Sequence, residues 1–238
     1  MAKRKPQLSL DLRRPRGRPR QKRKPTRVEH RPRPWHDAKH PVHVTLRVRR
    51  GVPNLRGMKL AKVIGTGLRL ASQSSWARPA ARRRTFRVIH FSIQPNHLHL
   101  IVEATSKTAL ARGMQGLVSG LARRVNRKLD RRGSLFAERY HGHALSTPTE
   151  VRNALVYVLK NYEKHPVGVP DRGPQPEDGI DPCSSARWFQ GWKRPPPPCT
   201  DAPPVTEPHT WLLRAGWKRA SRGAIERGER PAAIAAPE

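Results

Sequence analysis

Two histidines and one tyrosine are the residues of this sequence best placed to do chemistry. His97 and His99 stand two apart in a run with strand character, so both imidazoles project from one face. Leu98, Leu100 and Val102 project from the other. Two imidazoles side by side on an open sheet face form a natural pair of divalent-metal ligands. The spacing alone equally describes two solvent-facing histidines on a half-buried strand. Tyr157 gives an independent signal. After Pro148, residues Val151, Leu155, Val158, Leu159 and Tyr162 gather on one side of a helix at ~100° per residue, and Tyr157 lies roughly opposite. Core packing does not place a tyrosine there, although a ring resting on a neighbour would satisfy the same pattern. Asn161, one turn on, can bring an amide oxygen to a metal beside the Tyr157 hydroxyl.

These residues need a scaffold, and the periodicity supplies one. His43-Val44-Thr45-Leu46-Arg47-Val48 alternates as a strand does, which predicts a first strand over 41–49. Leu60, Val63, Ile64, Leu68 and Leu70 predict a helix over 55–73, weakened by Gly65 and Gly67. Phe86–Ile93, rich in aromatic and β-branched residues, is a second strand. Gln94-Pro95-Asn96 is turn chemistry, so 97–103 returns as the third strand of an antiparallel hairpin. Leu110, Met114, Leu117, Leu121, Val125 and Leu129 recur every three or four residues and predict a helix over 107–130. Its other face carries Arg112, Arg123, Arg124, Arg127 and Lys128. A fourth strand is expected over 135–145. Thr147 then caps a helix with Pro148 at its first position, running to about Tyr162. This order describes an α+β domain, an antiparallel sheet with helices packed on it.

Composition bounds the rest. Lys plus Arg number 49 against 17 Asp plus Glu, a net charge of +32, which calls for a polyanionic partner such as nucleic acid. Residues 1–39 are Arg, Lys and Pro with little to bury, and read as a disordered basic arm. Residues 40–166 hold the foldable domain. Residues 167–238 form a Pro-rich extension whose Trp188, Trp192, Trp211 and Trp217 are expected to anchor it on the domain or a partner. Cys183 and Cys199 have no metal-ligand spacing, and a disulfide is not expected. No secretory signal and no run of ~18 apolar residues occurs, so no membrane association and a cytoplasmic location are expected.

Three segments in order carry a family resemblance. Gln94-Pro95-Asn96-His97-Leu98-His99-Leu100-Ile101-Val102 resembles the His-hydrophobic-His strand of single-tyrosine transposases of the HUH superfamily. Tyr157-Val158-Leu159-Lys160-Asn161 is similar to their catalytic-helix pattern, a Tyr followed four residues later by Asn or Gln. His40-Pro41-Val42-His43-Val44-Thr45-Leu46-Arg47 resembles their first strand, and Phe136–His143 stands where the family has an aromatic-rich strand. The subgroup most similar is the REP-associated tyrosine transposases, and the resemblance covers about residues 40–166. It implies a ferredoxin-like HUH domain in a nucleoid-associated bacterial protein. Tyr157 would be the nucleophile, and His97, His99 and Asn161 would be ligands of Mg²⁺ or Mn²⁺. The implied partner is hairpin-forming single-stranded DNA, bound by a monomer or homodimer, with a 5′-phosphotyrosine link as intermediate. Arg47, Arg112, Arg123, Arg124, Arg127 and Lys128 are the candidate DNA contacts.

The sequence departs from the pattern after the helix. Tyr162-Glu163-Lys164-His165 intervene before Pro166-Val167, which leaves Tyr162 as an alternative nucleophile and Tyr140 as a weaker third. Rival functions are a domesticated, non-catalytic nucleic-acid-binding protein of the same fold and a structural RNA-binding protein. A two-histidine phosphodiesterase lacks its second His-x-Thr or His-x-Ser motif here.

Overall fold

The computed structural model describes residues 35–73, 85–164, 179–220 and 223–229. The expected basic arm lies almost wholly outside them, as does the boundary placed at 166. Order reaches further back than His40, because His36 is buried with its Nε2 2.8 Å from the Ala104 carbonyl.

Seven elements follow the βαββαβα order that the periodicity predicts. They are β1 (Val42–Arg47), α1 (Met58–Gln73), β2 (Phe86–Ile93), β3 (His97–Ala104), α2 (Lys107–Lys128), β4 (His141–Ala144) and α3 (Pro148–Lys160). The strands form one antiparallel sheet in the order β2-β3-β1-β4, the strand order of the ferredoxin-like split βαβ motif. One face carries Val44, Leu46, Leu98, Leu100 and Val102 and packs on α1 and α2 through Leu60, Ile64, Leu68, Met114, Leu117 and Leu121. Gly67 belongs to this packing: a Cβ there would sit 2.7 Å from the Leu121 side chain, so its absence lets the two helices approach. The other face presents His43, Thr45, His97, His99 and Ile101 toward α3.

The fourth strand is shorter than expected. Thr45 pairs with His141, whereas Val48 meets Phe136 in an isolated bridge. Between those pairs Leu46 and Arg47 face the longer stretch 137–140, whose extra residues bulge out of the ladder. Tyr140 lies in that bulge, packed against the α1–α2 cluster on the sheet face away from the histidines. Helix α3 begins where its cap dictates. The Thr147 side chain accepts from Glu150 N, while the Glu150 carboxylate accepts from Thr147 N and from Ser146.

The C-terminal extension packs on the domain. Phe189, Trp192, Leu212, Leu213 and Trp217 join Leu155, Val158, Leu159, Ile89 and Ile101 in a second hydrophobic cluster. Trp211 stays half exposed, with Arg219 over its ring. The extension also bonds to the edge strand β2: Ile93 N donates to Cys183 O, Ser185 N to Phe91 O and Thr206 N to Val88 O. That pairing covers an edge otherwise open to aggregation.

Buried ionic groups pin it further. Arg56 makes a bidentate pair with Asp181 at 2.9 and 2.8 Å and donates to the Ile93 carbonyl, with both side chains almost fully buried. Glu103, 1% exposed, accepts from Arg87 and from His209 N, Thr210 N and Thr210 Oγ1. Arg152 and Lys160 would be costly buried cations on α3. The first donates to Glu229 and the Gly223 carbonyl, the second to the Glu229 carbonyl.

Two stability measurements follow. Replacing Arg56 with Met leaves Asp181 charged, buried and without its main partner, and should cost about 3–5 kcal/mol in urea denaturation, whereas Arg56→Met combined with Asp181→Leu should recover most of it. A single variant no less stable than the double would show that the pair does not hold the extension. His90 is buried against Ser185 and Phe189, and burial pushes its pKa down to about 3. The unfolded chain takes up that proton near pH 6.5, so from there down toward pH 3 the unfolded state binds more protons and stability falls. At pH 5 the loss is on the order of 2 kcal/mol. A His90→Asn variant should show a correspondingly flatter dependence of the urea midpoint on pH.

Candidate active site

β3 runs through the middle of the sheet, and its alternation delivers His97 and His99 to the α3 side while Leu98 and Leu100 enter the core. The two Nε2 atoms come within 2.9 Å of each other. His97 is partly exposed and turns its Nδ1 to Asn96 Oδ1 at 2.7 Å. His99 is 4% exposed, and its Nδ1 has two partners at 3.2 Å, His43 Nε2 and Thr45 Oγ1, both from β1. Each imidazole is thus tethered by Nδ1 and offers Nε2 to a common point.

Tyr157 approaches the same point from α3. Its hydroxyl is 3.4 Å from His99 Nε2, and its ring meets those of His99 and His43 edge-on, with centroids 4.9 and 5.8 Å away. Half-burial raises the phenol above its ordinary pKa, and a hydrogen bond with Asn161 works against that rise. Asn161 is 2% exposed, at the step where α3 tightens into a 3₁₀ turn (Asn161–Lys164). Burial, with the charge of His143 nearby, pushes His43 down to about 4, so it is neutral at pH 7.

The four residues expected to work together therefore meet. Tyr162 does not join them; its hydroxyl donates to the Gly179 carbonyl at 3.1 Å. Asn96, His43 and Thr45 are site residues that the sequence pattern does not single out. Asn96 reads as a turn residue, and the alternation of β1 marks His43, Thr45 and Arg47 as sharing a face without showing which strand that face adjoins.

The donor set fits a small divalent cation. Two ligands at right angles on an octahedral ion with bonds of ~2.1 Å are about 3 Å apart, close to the separation of the two Nε2 atoms. Among the described residues no group of three or more His, Cys, Asp or Glu side chains is arranged to hold a metal.

The candidate DNA contacts divide between two surfaces. Arg47 pairs with His97 across the β1–β3 ladder, is exposed, and lies on the histidine face. The cations of α2 belong to the opposite layer. Arg124, Arg127 and Lys128 line a groove of about 490 Å³ with Lys59 and Lys62 of α1, and no acidic residue lines it. Arg112 and Arg123 are exposed elsewhere on α2.

Strand order, histidine pair and helix tyrosine together define a tyrosine site on an antiparallel sheet. Residues 67–161 match the family model described as "Transposase IS200 like", a segment running from the middle of α1 to Asn161. A solved structure of a REP-associated tyrosine transposase bound to a REP hairpin is similar over 58% of this chain and 74% of that one, with 14% identity and a TM-score of 0.44. A comparison with curated proteins finds no match. Among the described residues no helix is long and apolar enough to cross a membrane.

Proposed function

We propose that this chain is a metal-dependent single-stranded DNA endonuclease and strand transferase that works through a 5′-phosphotyrosine intermediate on Tyr157. The observation that supports this most is the meeting of Tyr157 Oη, His99 Nε2 and His97 Nε2 within hydrogen-bond distances at one point. His97, His99 and Asn161 hold Mg²⁺ or Mn²⁺, which when bound polarises the scissile phosphate and stabilises developing negative charge.

Tyr157 supplies the nucleophile. Its phenolic oxygen forms a bond to phosphorus as the bond to the 3′ oxygen breaks; the phenol loses its proton and the leaving 3′ oxygen gains one. The phosphodiester energy is kept in the tyrosyl ester, so a different 3′-OH can attack phosphorus, release Tyr157 and rejoin DNA without a nucleotide cofactor. The half-buried setting that raises the phenol pKa makes ionisation harder, and Asn161 offsets part of that cost by hydrogen bonding. Arg47, beside His97 on the open face, steers the DNA backbone toward the nucleophile. The cationic groove between α1 and α2 binds further phosphates of the same strand. That strand is one able to form a hairpin, as the resemblance to REP-associated transposases implies.

Incubation with single-stranded hairpin oligonucleotides from the gene's own flanks and Mn²⁺ should yield protein-linked DNA on a denaturing gel. Tyr157→Phe should abolish the adduct, and His97→Ala or His99→Ala should reduce it at least a hundredfold. Survival of the adduct in Tyr157→Phe would move the nucleophile elsewhere. Tight binding with no adduct on any flank would leave a non-catalytic DNA-binding protein.

The groove makes a separate prediction. Lys59→Gln, Lys62→Gln and Arg127→Gln together should weaken single-stranded DNA binding. They should also reduce the slope of log affinity against log salt by about 2, at ~0.7 for each phosphate no longer neutralised. An unchanged slope would remove the groove from the DNA path.

A further inference from the structure

His97 and His99 differ in how their Nδ1 atoms are held, and the difference matters for which nitrogen each presents. Asn96 Oδ1 can only accept, so the bond at 2.7 Å puts the His97 proton on Nδ1 and leaves its Nε2 bare. His99 has a choice. With its proton on Nε2 it donates across 2.9 Å to His97 Nε2, and the pair satisfies itself and closes to a cation. With its proton on Nδ1, both Nε2 lone pairs converge and the pair is open to one. The second arrangement needs an acceptor at Nδ1.

We propose that His43 is that acceptor, a positioning residue that takes a hydrogen bond from His99 Nδ1–H and so holds His99 in the tautomer with Nε2 free for the metal. The inference rests on the metal reading given above. Three observations carry it. His43 Nε2 is 3.2 Å from His99 Nδ1 inside the protein, with His43 only 7% exposed. The two rings lie nearly parallel, 26° apart with centroids at 5.2 Å, so His43 also sets the plane of the His99 ring. The antiparallel register, with His43 opposite Ile101 and Thr45 opposite His99, fixes both β1 side chains beside that ring. Thr45 Oγ1, also at 3.2 Å, can rotate its hydroxyl to donate or accept and does not select a tautomer by itself. His43 precedes the segment 67–161 that matches the transposase family model.

The test is Mn²⁺ binding to the full chain without DNA, followed by electron paramagnetic resonance. His43→Phe keeps the ring and loses the acceptor; it should bind Mn²⁺ about 10–100-fold more weakly than wild type, the usual cost of losing a partner that orients a metal ligand. His43→Gln, whose Oε1 can still accept from His99 Nδ1–H, should stay within a few-fold of wild type, which a merely space-filling role would not produce. Equal affinities for wild type and a folded His43→Phe would overturn the proposal while leaving the metal reading intact. No Mn²⁺ binding by wild type would overturn both. Should the Phe variant fail to fold, imidazole ¹⁵N spectra of Mg²⁺-loaded wild type decide the matter. They should show the His99 proton on Nδ1 with a scalar coupling to His43 Nε2, and a proton on His43 Nε2 instead would sink the proposal.

Discussion

The antiparallel pairing of β1 with β3 is the constraint on which the site depends. Six register pairs, from Val42 opposite Val102 to Arg47 opposite His97, lock two alternating strands face to face. Val42, Val44, Leu46, Leu98, Leu100 and Val102 then enter one core, and His43, Thr45, Arg47, His97 and His99 gather on the other face beside Ile101. A slip of one residue would send His97 and His99 into the α1–α2 core and Leu98 and Leu100 out beneath α3. The burial of Val44, Leu46, Leu98 and Leu100 therefore enforces the geometry of the imidazoles.

Helix α3 completes the site because it is held from two sides. Its capping box sets where it starts, and its inner side rests on Ile89 and Ile101. Its remaining circumference lies under the C-terminal extension, which supplies Trp192, Trp217 and Leu213 to the cluster and carbonyl and carboxylate acceptors to Arg152 and Lys160. Helices on a sheet usually leave one face to water; this one is buried nearly all round, and Tyr157 is among the few positions left partly open. The extension, itself anchored by Asp181 to Arg56 and by its His209 and Thr210 amides to Glu103, thus bears on the placement of Tyr157.

The sheet also separates two kinds of surface. The histidine face carries the tyrosine and Arg47, while the groove of Lys59, Lys62, Arg124, Arg127 and Lys128 belongs to the helices packed on the other face. In the function we propose, most of the attraction of a polyanion would fall to the helix layer and the chemistry on it to the other, with Arg47 the cation on the histidine face. This arrangement spares the buried imidazoles a dense field of neighbouring cations, which would oppose the binding of a further cation between them.

Much of this was legible in the sequence. Period-two alternation located β1, aromatic and β-branched content located β2, the turn at 94–96 located β3, period 3.6 located α2 and α3, and the Thr147-Pro148 pair marked where α3 begins, because these are local consequences of backbone geometry and side-chain type. The spacing of His97 and His99 and the position of Tyr157 off the apolar stripe follow from the same local rules. The tertiary structure decided what depends on partners distant in sequence. It trimmed β4 to four residues through a bulge, tied Tyr162 to Gly179, split the basic residues between two surfaces, and brought Trp192 and Trp217 of the extension onto α3. It also made His43 and Asn96 part of the site. Alternation tells which residues of a strand share a face; only the register between strands, set by burying both apolar faces at once, tells which imidazole lies beside which.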